Sequence, residues 1–134
     1  MTEERIALSA SQVLTVRHHS PDVLEVDSVW QQGPPPPKHS HPQQSEEFTV
    51  REGELTVELG TDPTRVFQAG ETVTVPPGTP HRMWSAGPNG ARATWTITPA
   101  LRTLDLFRYI AGGTKLPRAL RMLWRFRHEY RLSR

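Results

Sequence analysis

The chain has 134 residues, no cysteine and a formal net charge of +2. That length suits one domain with its own hydrophobic core, and the lack of cysteine excludes disulfides, thiolate metal sites, iron–sulfur clusters and a cysteine nucleophile. The charge is unevenly spread: residues 1–100 hold 7 Lys/Arg against 12 Asp/Glu, a balance of −5, whereas residues 101–134 hold 9 against 2, a balance of +7.

In chain order, the opening "MTEERIALSASQ" carries acids and no continuous apolar run, so it does not read as a secretory signal. No window approaches the roughly 18 apolar residues of a membrane span, and the expected location is the cytoplasm. From there to residue 100 the chain reads as short strands bounded by Gly, Pro, Asp or Asn: "QVLTVRHHS", "DVLEVDSVW", "EFTVREG", "ELTVELG", "TRVFQAG", "ETVTVPPG", "HRMWSAG" and "ARATWTIT". They are rich in Val, Thr and aromatics with partial period-2 alternation, and no helical stretch separates them. Such a series favours an all-β sandwich or barrel. The adjacent His18 and His19 point to opposite faces of their strand and read as structural.

After Pro99 the period changes. Leu101, Leu104, Phe107 and Ile110 recur every three residues, and Gly112-Gly113 supply a stop. Pro117 suits the first turn of a second helix. Its apolar stripe would be Leu116, Leu120, Leu123 and Trp124, laid over the barrel, with Arg118, Arg121, Arg125 and His128 on the basic side. The expected organisation is a β-body over 1–100 and a basic helical extension over 101–134, in one domain. A basic tail can attract nucleic acid or anionic lipid, but a solvated helix, its arginines free or paired with the acidic body, is the reading preferred here.

The chemistry concentrates in "GPPPPKHSHPQQSEE", residues 33–47. Four prolines make a stiff, extended approach. Residues i and i+2 of a strand share a face, so His39 and His41 can point into one interior. Glu46 follows after a bend, with Glu47 as a competing carboxylate; the six-residue gap to Gly53 favours Glu46, and alternation then sends Glu47 outward. Downstream, the Pro76-Pro77-Gly78 turn reverses the chain so that His81 starts a strand able to lie beside the first histidine pair. Three imidazoles and one carboxylate suit a divalent first-row transition metal, here Fe, Mn, Ni, Zn or Cu, and leave positions open for water, dioxygen or a chelating substrate. Phe48, Val50, Leu55, Val57, Val73, Val75, Met83, Trp95 and Ile97 share the inward phase. Most are barrel core, with Phe48, Val50, Met83 and Trp95 the candidates for a pocket wall. Gln43 and Gln44 read as solvated loop. No serine–histidine–acid pattern or glycine-rich phosphate loop points to a hydrolase or nucleotide enzyme.

These spacings resemble those of a small single-domain cupin. The motif G-x5-H-x-H-x4-E-x6-G is met by Gly33, His39, His41, Glu46 and Gly53, and G-x5-P-x-G-x2-H-x3-N by Gly70, Pro76, Gly78 and His81. The one departure is Ser85 in place of the final Asn, which touches a turn or supporting detail rather than a ligand. The resemblance covers roughly residues 12–100. It implies a jelly-roll β-barrel with the metal near one mouth, held by His39, His41, Glu46 and His81. It also implies a small-molecule ligand and a homodimer. Dioxygenase or isomerase chemistry on an enol, phenol or keto acid is the expected reaction class, and a non-catalytic binding module is the alternative.

Overall fold

One strand organises the molecule. In the computed structural model, which describes residues 3–133, β5 (Ser45–Leu59) runs for 15 residues and serves both halves of a curled sheet. Its first half pairs with β7 (Thr72–Val75) and β9 (Ala91–Thr98), and its second half with β6 (Arg65–Gln68) and β8 (His81–Trp84). Two separate strands, "EFTVREG" and "ELTVELG", are expected from the sequence over this stretch. The chain instead bends without breaking, through a register shift between Val50 and Glu52 and through Gly53. Gly53 has φ 72, and a Cβ there would lie 2.0 Å from the Gly90 carbonyl oxygen. Only glycine fits such an approach.

The remaining strands extend this frame. β1 (Arg5–Ser9), β2 (Gln12–His19) and β3 (Leu24–Trp30) add on beyond β9, so the order β1-β2-β3-β9-β5 is antiparallel throughout. On the other side β8 pairs with the two-residue β4 (His39–Ser40), and β4 pairs with β10 (Arg131–Leu132). β1 and β10 lie outside the strands read from the sequence. The inward phase is as expected: Phe48, Val50, Leu55, Val57, Val73, Val75, Met83, Trp95 and Ile97 are all buried in the main core. Glu47 faces solvent, and so do His18 and His19.

Two helices follow the barrel, α1 (Thr103–Ala111) and α2 (Arg118–Arg125). α1 is wedged between two cores. Leu104 and Phe107 join the barrel, while Leu106 packs with Met122 and Phe126 of the second helix and its end. Arg108 ties α1 to the N-terminal segment through paired bonds to Glu4, 2.7 and 2.8 Å. Gln44 is buried, contrary to its reading as solvated loop. Its amide donates to the carbonyls of Pro99 and Ala100 and to Thr103 Oγ1, pinning the start of α1 to the barrel.

The packing of α2 also corrects the sequence reading. Leu116, Leu120 and Trp124 are 70 %, 61 % and 71 % exposed, and Leu123 is half-buried. The residues that anchor the helix are Met122 and Phe126. Amphipathic periodicity marks an apolar face but leaves open which edge of that face is covered. Arg118 spends its charge on carbonyls at the end of α1, donating to Tyr109 O at 2.8 Å and Gly113 O at 3.0 Å, where the helix dipole favours a cation. Among the described residues, no arginine after Arg108 forms an ion pair with the acidic body.

Candidate metal centre

Pairing of β4 with β8 sets His39 directly opposite His81. His41 follows in the turn leading to β5, where its carbonyl accepts from Gly78 N at 2.8 Å and so locks the two ligand-bearing turns together. The donor atoms offered by His39, His41 and His81 all lie within 4.8 Å of one another.

The orientation of each ring follows from one repeated device. His39 Nδ1 donates to Pro37 O at 2.9 Å, His41 Nδ1 to Glu129 O at 2.7 Å and His81 Nδ1 to Thr79 O at 2.8 Å. A carbonyl oxygen can only accept, so in each neutral ring the proton is on Nδ1 and the Nε2 lone pair is free for a ligand. Two of those carbonyls lie two residues before their histidine. The third, Glu129 O, comes from the far end of the chain.

Glu46 is 2 % exposed and meets the same point. Its Oε1 lies 3.0 Å from His41 Nε2 and 2.9 Å from His81 Nε2, and its Oε2 accepts from the Trp95 indole N–H at 2.7 Å. Acceptor nitrogens this close to a carboxylate oxygen repel unless a cation sits among them. His41 Nε2 and Glu46 Oε1 are indeed buried without a well-aligned hydrogen bond, a state that costs free energy unless something satisfies it. Burial disfavours a charged His41, yet the adjacent Glu46 carboxylate outweighs it and raises the ring's pKa. Burial likewise opposes ionisation of Glu46, but His41 and His81 hold its carboxyl well below the usual range. His39 is pushed down to about 3 by burial and by the other two imidazoles, and stays neutral. The residues present therefore fit a divalent cation with nitrogen and oxygen ligands.

Around this cluster lies a cavity of about 710 Å³. His39, His41 and His81 line it, as do Phe48, Met83 and Trp95. Val50, expected on the wall, has no accessible surface and lies in the barrel core away from the cavity. Trp95 links supports and wall: it holds Glu46, stacks on Phe48 at 4.9 Å and touches Phe107 of α1 at 5.1 Å. Ser85 is buried at a turn, its hydroxyl donating to Gly87 O and its carbonyl accepting from Gly33 N.

Two site residues escaped the sequence reading. Tyr130 stacks on His39, ring centroids 4.9 Å apart and planes 22° from parallel, and burial raises the pKa of its phenol. Glu129 contributes its carbonyl, while its buried side chain leaves Oε1 without a hydrogen-bond partner among the described residues. Both are placed by β10, whose Arg131 and Leu132 pair with Ser40 and His39, while Ser133 N donates to Lys38 O. A two-residue strand after a helix carries no periodic signal.

Comparisons with known proteins agree with this geometry. The sequence profile of the cupin domain matches residues 27–97. An oxidoreductase of the fungus Arthrobotrys oligospora is 40 % identical over 72 residues, 54 % of this chain but only 26 % of that protein, so this chain spans about a quarter of the relative's length. Among solved structures, KdgF from Halomonas sp. superposes with a TM-score of 0.68 at 19 % identity, over 75 % of this chain and 90 % of that one. An RmlC-like cupin from Shewanella frigidimarina gives 0.68 at 22 %, over 76 % and 88 %. The latter two show the fold alone. With more than half of the sequence inside the matched domain and three histidines gathered within 4.8 Å of one another, the chain belongs to the cupin family.

Proposed function

We propose that this cupin binds one divalent transition metal through His39, His41, His81 and Glu46 and acts on a small chelating molecule, an enol, phenol or keto acid, with dioxygenase or isomerase chemistry. The observation that carries this reading is the convergence of three free imidazole nitrogens on the wall of a large cavity, with the buried, unsatisfied Glu46 oxygen behind them. The resemblance of residues in this chain to an oxidoreductase supports the same class. When bound, such a metal supplies a Lewis acid or a site for dioxygen. The chain's own part is to fix the ligands through the three carbonyl contacts, to orient Glu46 through the Trp95 indole N–H, and to offer a mostly apolar chamber beside them.

Metal analysis of purified protein tests the first step: about one equivalent of a transition metal is expected, lost in His41→Ala. Absence of metal from reconstituted wild-type protein sinks the proposal. An oxygen electrode with metal-loaded protein and candidate enols and catechols then tests turnover. Tight binding without oxygen uptake or product would place the protein among binding modules instead.

A further inference from the structure

The cavity wall is notable for what it is made of. Trp30, Met83 and Trp95 contribute from the barrel, and Phe107, Ile110 and Leu123 from the two helices. A neutral polar patch, with Ser9, Ser11 and Gln31, is built where the β1–β2 turn meets the end of β3. Among the described residues, no Asp, Glu, Lys or Arg lines the cavity, although the helices that wall it belong to the most basic segment of the chain. The arginines there are turned elsewhere: Arg118 onto the carbonyls of Tyr109 and Gly113, Arg127 over the Trp124 ring.

A molecule entering this chamber meets one place for charge, the metal cluster, and otherwise hydrocarbon and neutral dipoles. A second carboxylate or a phosphate would be stripped of water with no cation to receive it, which is strongly unfavourable. An apolar body gains from every methylene it buries. The volume of about 710 Å³ falls in the range of pockets for drug-sized ligands, roughly 300–1,000 Å³.

We infer that the ligand carries a single oxygen-chelating head, directed at the histidine cluster, and an uncharged apolar body, so that 2-oxo acids or enols with hydrocarbon tails are preferred over dicarboxylates and phosphorylated compounds. This deepens the metal-centre reading above and rests on it for the head alone; the body is recognised by the wall.

The test uses two keto acids with the same head, 2-oxohexanoate and 2-oxoglutarate, titrated calorimetrically into the metal-loaded 134-residue chain. The apolar-tailed acid is expected to bind at least tenfold tighter, and affinity should rise about three- to fourfold per methylene from 2-oxobutanoate to 2-oxohexanoate. Equal affinities, a flat chain-length series or preference for 2-oxoglutarate overturns the inference. Leu123→Arg, at a half-buried helix position, should reverse the ranking by giving a second carboxylate its partner. Ile110→Arg is the second variant, should the first fail to fold. Naphthalene, which has no head, reports on the wall alone. Naphthalene binding in protein that takes no metal would sink the metal reading and leave the apolar body standing, whereas metal uptake without apolar preference does the reverse.

Discussion

At the scale of single residues, the decisive contact is the one between Trp95 and Glu46. The carboxylate is buried among aromatic rings, and the indole N–H is the neutral donor that meets one of its oxygens. Trp95→Phe keeps the stack on Phe48 and removes that bond. Loss of such a supporting contact typically lowers metal affinity about 10–100-fold, and a competition titration against a chelator should show a fall of that size with an unaltered far-UV spectrum. An affinity within twofold of wild type would mean that the indole has no part in holding the ligand. Gly53 answers to a different constraint. Gly53→Ala adds a methyl 2.0 Å from a backbone oxygen at φ 72, combining a left-handed conformation with overpacking. The expected cost is about 2–4 kcal/mol in urea unfolding. The glycine that ends the first histidine motif thus earns its place through the bend in β5, with no role at the metal.

Among the elements, β10 matters most for the site, although it is only two residues long. It returns the chain to β4, delivers the Glu129 carbonyl to His41 Nδ1 and lays Tyr130 on His39. Ending the chain after His128 is therefore expected to weaken metal binding about 10–100-fold while the cooperative thermal transition of the barrel persists. Unchanged affinity in the shortened chain would show that the two local carbonyl contacts suffice. The histidine and glutamate positions were legible in the sequence because they lie within two local spacing patterns, and the six-residue gap to Gly53 separated Glu46 from Glu47. The clasp was not, because its partners are 88 residues apart and neither end carries a periodic mark. Gln44 was misread for a related reason. A polar residue in a Pro-Gln-Gln-Ser bend looks solvated until the acceptors at Pro99, Ala100 and Thr103 are seen to surround it. Amphipathicity correctly indicated α2 but could not say that Met122 and Phe126, rather than Leu120 and Trp124, would be covered.

For the molecule as a whole, that exposed edge of α2 is the feature with the largest consequence. Leu116, Leu120 and Trp124 are spaced by four and form an uncovered apolar ridge, flanked by the exposed Arg121, Arg125 and Arg127. On the acidic body, Glu47 and Glu54 are exposed along β5. The charge split of −5 and +7 along the chain makes tail and body complementary, yet no arginine of α2 meets an acid of its own body among the described residues. Two copies related by a twofold axis would let each cover the other's ridge, and the opposite charges of tail and body favour such an association. The homodimer suggested by the cupin resemblance is therefore proposed with this ridge at its interface. Light scattering at high micromolar concentration should give twice the mass of one chain, and Trp124→Glu should give a monomer with an unchanged fold, since Trp124 supports no core. A monomeric wild type, or a dimer indifferent to the substitution, would remove the ridge from the interface. Because Leu123, beside the ridge on the same helix, lines the cavity, covering the ridge would also steady the chamber wall, so the monomeric variant is expected to bind 2-oxohexanoate more weakly while retaining its metal.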